Sequence, residues 1–413
     1  MTSLRTLGTC LDPKVAYAES FAPRILKAME LTVPKKDLLK IVARMQGVAE
    51  RKSTMPVLAN VLLAVDGPNA LRLAATDLYL SLLGRVASDV AKPGSVAVSA
   101  KDLFERVKMM PDGPVVISTQ DNATTTLKAS GTARRYTLRG MPGDDFPPLP
   151  QPAEGSPTLA IDVSVLAELI QKTHFSISTD ETRAHLNSAL FEWEGDVVRM
   201  VTTDGHRLSK VDVTVSGRQA SATMLIPLKA IHELRRLCDE MLAEPPADGE
   251  KKKAELLITQ SGSSAFFHGA GMTFSVKLVD AQFPPYAQVI PQTSEKVVRA
   301  PRIAFADALK AVSVAASERT GGVKLSLTKG SMRITSESPE SGDGFDEIPV
   351  EYAGPNMSIG FNAKYFLDVL AAITDDEISI GLSGELDPAV LRPAGATTPS
   401  DRSFLAVIMP MRI

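Results

Sequence analysis

The sequence predicts an α+β chain of three repeated domains, each with two helices packed on antiparallel β-sheets. Three observations predict it. A strand followed by a helix opens each of three similar segments, alternating runs follow each opening, and a second strand–helix pair recurs inside every copy. At 413 residues the chain also exceeds the usual size of one hydrophobic core, which agrees with about three domains.

The openings read MELTVPKKDLLKIVARMQ over 29–46, TLAIDVSVLAELIQKT over 158–173 and VRAPRIAFADALKAVSVA over 298–315. In the first, Leu38, Leu39, Val42 and Met45 fall on one side of a helix, while Lys36, Lys40 and Arg44 recur every four residues on another. One side is set to pack on a sheet and the other reads as basic. The period-two alternation at 71–76 and 197–202 is that of half-buried strands. Asp66, Gly67, Pro68 and Asn69, and Glu194, Gly195 and Asp196, supply turn chemistry between strands.

The second pair runs SVAVSAKDLFERVKMMPD from Ser95, TMLIPLKAIHELRRLCDE from Thr223 and MSIGFNAKYFLDVLAAITDD from Met357. Lys101, Lys229 and Lys364 stand at the same point in each, 128 and 135 residues apart. The predicted domains are therefore 29–150, 157–291 and 297–413, joined by linkers at 151–157 and 291–295. Residues 1–28 read as a disordered tail or an upstream start, since Met29 opens the first copy unaided. The stretch 243–254, with Pro245, Pro246 and Lys251 to Lys253, reads as a solvated loop.

No apolar run of about 18 residues occurs, so the sequence predicts no membrane span, and the first 28 residues lack the pattern of a secretory signal. Cys10 and Cys238 cannot form a disulfide framework or, alone, a zinc site, which fits a reducing cytoplasm. Net charge is −3, so any affinity for nucleic acid must come from where the charges sit rather than from their sum. The helices carry Lys36, Lys40, Arg44, Lys101, Arg106, Lys108, Lys172, Lys229, Arg235, Arg236, Lys310 and Lys364, with Asp37, Glu105 and Glu233 among them. On one helix such charges mark an ordinary solvated face. On repeated units whose rotation closes, the same helices would line a hole, and contacts to phosphate would be sequence-independent and compatible with sliding.

Four marks occur in order on this repeat: TDGHRL from Thr203; KLVD from Lys277 with FPPY from Phe283; GFN from Gly360 with Tyr365 and LDVL from Leu367; and the terminal MPMRI from Met409. With them, residues 29–413 closely resemble the bacterial sliding clamps, the beta subunits of DNA polymerase III. The resemblance implies a DNA clamp fold in a head-to-tail homodimeric ring, helices inside and sheets outside, encircling double-stranded DNA. It implies no catalytic activity, no cofactor and no metal. Its implied partners are the replicative polymerase catalytic subunit, the clamp loader, and repair polymerases and other proteins carrying clamp-binding peptides. Those peptides would dock between the second and third domains on Leu186, Thr203, Gly205, His206, Arg207, Leu208, Pro284, Val289, Val407, Met409, Pro410, Met411 and Arg412. Leu, Val, Met and Pro suit an apolar anchor, methionine adapts to several partners, and His206 and Arg207 would fix peptide polar groups at the rim.

The resemblance further implies DNA-facing roles for Lys52, Arg106, Lys172, Arg183 and Lys229. The subunit interface would pair Tyr136 and Leu138 with the end of the first helix of repeat three, near Val314 and Ala315. The latter two are smaller than the family pair, which implies a ring that opens more readily. Two departures bear on the rim: Gln288 stands where relatives often have Arg, and Ala184 and His185 where they have aromatic residues.

Two rival readings are weaker. Asp204, His206 and Ser209 suggest a hydrolase, but no nucleophile elbow, oxyanion loop, Walker A motif, dinucleotide fingerprint or His/Cys cluster accompanies them. His174, His232 and His268 read as surface or packing residues. An extracellular all-β scaffold would bring a signal peptide, often disulfides, and fewer amphipathic helices.

Overall fold

The computed structural model describes residues 28–50, 54–120, 122–215, 221–243, 254–317, 320–339, 342–395 and 402–412. Nearly all of the tail 1–28, Lys52 and the Lys251 to Lys253 run lie outside the described residues. Contacts divide the chain into two compact units. The first holds the N-terminal part up to Ser156 together with Leu257–Lys277; the second holds Pro157–Leu256 and everything from Leu278 on.

Among the described residues six α-helices form three pairs: α1 (Lys35–Val48) with α2 (Ala100–Lys108), α3 (Val163–Thr173) with α4 (Leu228–Ala243), and α5 (Arg302–Ser313) with α6 (Ala363–Ala372). Their starts are written locally. Ser99, Asp162 and Asn362 each accept a backbone N–H of the first turn of α2, α3 and α6. Pro34 and Pro301 instead stand at the caps of α1 and α5, where an absent N–H removes nothing from the helix. The faces turned inward follow the helical period; in α3 they are Val163, Val165, Leu166, Leu169, Ile170 and Thr173.

In the first unit, Leu80–Ala87, Ala70–Thr76, Asn60–Val65, Ser95–Ser99 and Arg135–Pro142 pair in that order, each antiparallel to the next. Arg135–Pro142 continues into Thr124–Ala129, Pro114–Thr119 and Glu30–Pro34. Strand Met272–Lys277 adds to Leu80–Ala87. The predicted hairpin at 66–69 is present, with Gly67 at φ +72°.

The second unit carries an eight-stranded antiparallel sheet. Its order is Ala222–Pro227, Ser188–Glu194, Val197–Thr203, Arg207–Thr214, Arg402–Ile408, Ala389–Pro393, Glu377–Leu382 and Lys296–Pro301. The two copies meet where Arg207–Thr214 pairs with Arg402–Ile408, Leu208 opposite Val407. A four-stranded sheet of Gly342–Pro349, Ser331–Ser338, Gly322–Thr328 and Met357–Asn362 also lies in this unit. Phe366 on α6 stacks edge-on against Phe305 of α5 and Phe361, with centroids 5.6 and 5.0 Å apart.

Two expectations need correction. Arg44 does not join a basic outer face: only 6% exposed, it directs its guanidinium to the Met272 sulfur at 3.0 Å. The helical twist carries it to the flank of the buried Ile41 and Met45, where its long stem packs. The first helix of the third copy ends at Ser313, so Val314 and Ala315 sit in the turn beyond it.

Candidate peptide-binding cavity

The second unit holds a cavity of about 250 Å³, lined by Leu186, Thr203, Gly205, Arg207, Leu208, Pro284, Pro285, Tyr286, Gln288, Val289, Val407 and Met409. Beneath it, Leu190, Val201, Leu208, Leu225 and Val407 form a buried cluster, against which Val279, Phe283, Tyr286, Ile290 and Leu405 pack. The wall is therefore apolar and continuous with the core. This follows from alternation: the inward positions of adjacent strands fall on one face of one sheet.

The rim turn at 203–207 is held by its own side chains. The Thr203 hydroxyl donates to the Arg207 carbonyl at 2.6 Å and accepts from the Gly205 N–H at 3.2 Å. One Asp204 carboxylate oxygen accepts the N–H groups of His206 and Arg207 at 2.9 and 3.0 Å. Gly205 sits at φ +93°, the left-handed region that glycine enters without steric cost. The His206 carbonyl then accepts the Met409 N–H at 2.9 Å, tying the turn to the C-terminal strand.

Arg207 is 8% exposed although it lines the cavity. Its Nε donates to Asp204 at 3.0 Å, one terminal nitrogen donates to Asp368 on α6 at 2.6 Å, and the other to the Phe175 carbonyl. Its guanidinium also lies over the rings of Tyr365 and Phe175, 4.5 and 5.6 Å from their centroids. Burial, with the negative charge of Asp204, holds the Tyr365 hydroxyl above its ordinary pKa, so it stays protonated. On the floor side, the Tyr286 hydroxyl accepts from Arg199 at 3.2 Å and donates to Glu192 at 3.4 Å. Burial opposes the Arg199 charge, but the hydrogen bond and charge of Asp212 outweigh it and hold the guanidinium ionised.

Of the residues expected at the pocket, Leu186, Thr203, Gly205, Arg207, Leu208, Pro284, Val289, Val407 and Met409 line this cavity; His206, Pro410, Met411 and Arg412 do not. His206 is exposed, with its carbonyl rather than its ring engaged, and the Met411 N–H donates to Gly360. Pro285, Tyr286 and Gln288 line the cavity in addition. For Pro285 and Tyr286 the FPPY segment was the available signal, since a proline pair cannot continue a strand, while Gln288 is one of the two rim departures visible in the sequence.

The hydrolase arrangement does not assemble. Ser209 is fully buried, its hydroxyl 2.8 Å from that of Ser176, and the Asp204 carboxylate holds Arg207 and two backbone N–H groups. Among the described residues no three His, Cys, Asp or Glu side chains converge to hold a metal, and no helix is long and apolar enough to cross a membrane.

The DNA-facing candidates stand differently. Arg106 pairs with Asp102 at 2.8 Å, and its hydrogen bond is the main reason that carboxyl titrates below its usual range. Lys172 pairs with Glu168 at 2.7 Å and lies 5.9 Å from the centroid of the Phe404 ring. Arg183 donates to Asp180, Ser178 and the Asp204 carbonyl, so it braces the rim turn. Lys229 is exposed at the start of α4. Tyr136 is half-buried and Leu138 buried in Arg135–Pro142, while Val314 is 83% exposed and Ala315 buried.

Comparison with known proteins now gives the family. Models of the N-terminal, central and C-terminal domains of the DNA polymerase III beta subunit match residues 29–150, 160–285 and 287–412. The beta sliding clamp of Pseudomonas putida is 34% identical over 387 residues, covering 93% of this chain and all of the relative. The crystal structure of the DNA polymerase III subunit beta from Pseudomonas aeruginosa superposes with a TM-score of 0.85 at 34% identity, covering 93% of this chain and all of that one. A sliding clamp from the same organism, solved bound to griselimycin, gives the same TM-score at 33% identity, covering 94% of this chain and all of that one. A threefold repeat matched domain by domain over nearly its full length leaves one assignment: the chain belongs to the DNA polymerase III beta subunit family, the beta sliding clamps.

Proposed function

We propose that this chain is a non-catalytic processivity factor. Two copies close head-to-tail into a ring around duplex DNA, and the cavity at Leu208 and Val407 docks peptides of the replicative polymerase, the clamp loader and repair polymerases. The observation that carries this reading is the apolar cavity built on the joined strands of two copies, in a chain of this family. An apolar anchor entering it leaves water without uncovering a polar group, at roughly 25 cal/mol per Å² removed from water. In this reading the domains are 29–150, 157–291 and 297–413, and the protein works in the cytoplasm, where the chromosome of a bacterium lies.

Lys52, Arg106, Lys172, Arg183 and Lys229 would face DNA. Exposed ion pairs are worth only about 0–1 kcal/mol, so Asp102 can yield Arg106 to phosphate, whereas Lys172 is held in a part-buried pair with Glu168. Tyr136 and Leu138 would meet Val314 and Ala315 of a second copy.

The test is loading onto nicked circular DNA followed by linearisation. A closed ring stays on circles at high salt and leaves by the ends once they are cut. Equal retention on circular and linear DNA would end the topological reading. For the cavity, Met409→Ala should weaken a bound partner peptide by about tenfold, the scale of one apolar anchor contact.

A further inference from the structure

We propose that Asp368, on α6, is a positioning residue of the peptide cavity, and that through Arg207 it makes the site blind to acidic side chains. The proposal rests on the docking reading above and assigns a role to a residue outside the cavity wall.

Arg207 is the one fully charged side chain in the cavity lining, so it is the natural partner for a carboxylate on an incoming peptide. The geometry points the other way. All three guanidinium nitrogens donate inward: to Asp204, to Asp368 and to the Phe175 carbonyl. Asp204 and Asp368 already occupy this cation, and Lys364 beside Asp368 brings the cluster to two negative and two positive charges, so a peptide carboxylate meets no unspent positive charge. Tyr365 covers one face of the guanidinium at 4.5 Å, leaving it 8% exposed. Asp368 is itself fixed by Lys364, one helical turn earlier, at 2.8 Å. Lys364 stands where Lys101 and Lys229 stand in the other copies.

The consequence is a rim whose position is set from α6. Asp204 shapes the turn through its backbone, Arg207 links Asp204 to Asp368, and Asp368 sits on a helix anchored by the buried Phe366. Removing the Asp368 charge releases one guanidinium nitrogen and lets Arg207 swing toward the cavity.

The experiment uses the full chain and two nine-residue fluorescent peptides with a pair of leucine anchors. They differ in one residue beside the anchors, Asp in one and Asn in the other. Anisotropy titrations should show the unaltered protein binding both within about twofold of each other. Asp368→Asn should bind the Asn peptide three- to tenfold more weakly and shift the preference at least threefold toward the Asp peptide. Asp368→Glu should restore most of the original affinity and remove the shift. A charge-dependent preference is what a merely structural role would not produce, and thermal melts of each variant identify any loss of fold. If folded Asp368→Asn binds both peptides as the unaltered protein does, or weakens both with no shift in preference, the proposal is overturned. If the unaltered protein already favours the Asp peptide threefold or more, Arg207 is a direct acid receptor and the proposal is equally overturned. Failure of the unaltered protein to bind either peptide would instead remove the docking reading on which it stands.

Discussion

The rim turn of the cavity has a twin in the first copy, and the two differ in one informative way. At Thr76 to Leu80, the threonine hydroxyl again donates to the carbonyl four residues on, at 2.9 Å, and accepts the N–H two residues on, at 3.0 Å. Asp77 accepts two successive N–H groups at 2.8 and 2.6 Å, as Asp204 does. The Tyr79 carbonyl accepts Lys277 N–H at 2.7 Å, where that of His206 accepts Met409. The backbone scheme is one and the same. Yet the left-handed position is Gly205 in one turn and Leu78, at φ +76°, in the other. Arg207 with its ion network is matched by Leu80, buried without charge. Thr and Asp thus write the turn, and the residues between them decide what it is for.

The floors differ in the same sense. Around the first turn, Val57, Leu58, Leu62, Ala64, Ala74, Ala97 and Phe146 form a cluster on which Leu83, Met141 and Leu149 pack. At the second, the counterparts of Leu58, Phe146 and Leu149 are Leu186, Phe283 and Tyr286; Leu186 and Tyr286 border the cavity, and Phe283 packs beneath it.

The largest break in the comparison should come from Arg207→Ala. It leaves Asp204 without its cation while Asp368 keeps Lys364, and losing charge-assisted hydrogen bonds of this part-buried kind costs about 2–3 kcal/mol. Denaturant unfolding should show it, and Asp368→Asn on the same background should then cost much less than it does alone. Next, Asp204→Ala and Asp77→Ala each strand two N–H groups, for roughly 1–2 kcal/mol, with the former larger because it also loosens Arg207. Equal losses at the two turns would mean that Arg207 does not depend on Asp204.

Swapping the left-handed residue comes third. Gly205→Leu should destabilise by about 1–2 kcal/mol, the left-handed penalty of a side chain, since an added Cβ would meet nothing closer than Arg183 at 3.7 Å. Leu78→Gly should stabilise by relieving the left-handed strain at φ +76°, but by less than about 1 kcal/mol, because the extra freedom of glycine in the unfolded chain offsets part of the gain.

The smallest effect is acidic. Burial lowers the pKa of two histidines, His174 and His268, and both lie in the second copy. His174 precedes Phe175, donates from Nδ1 to the Ile170 carbonyl at 3.0 Å and has Arg235 at 2.8 Å from Nε2. Burial, more than the Arg235 charge, depresses its pKa below 6.5. The unfolded chain therefore binds the proton more readily, and stability present above pH 6.5 is lost as pH falls below it. His174→Asn should flatten the change in melting temperature between pH 7.5 and 5.5; an unchanged slope would place the sensitivity elsewhere.

Much of this was legible in the sequence. The recurring strand–helix segments mark the helices, and the glycines at 67 and 195 mark hairpins between alternating runs, while the caps Ser99, Asp162 and Asn362 emerge only from the structure. The turn at Thr203 was visible as a string. Its coupling to Asp368 was not, because 161 residues separate the partners and no local pattern reports a contact made by tertiary packing. For the same reason Arg44 reads as a surface cation: helical periodicity gives an angle round the axis, while the sulfur that receives its guanidinium comes from Met272.

Leu208 and Val407 face each other across a continuous ladder of backbone hydrogen bonds, so their spacing is that of neighbouring strands, about 4.8 Å between chains. The bottom of the recess cannot widen or narrow without tearing the ladder. Adaptation to ligands of different bulk must therefore fall to the lips, where Met409 and the 284–289 segment rest on the sheet. Competing ligands would share one rigid seat and differ in how far they push aside its edge.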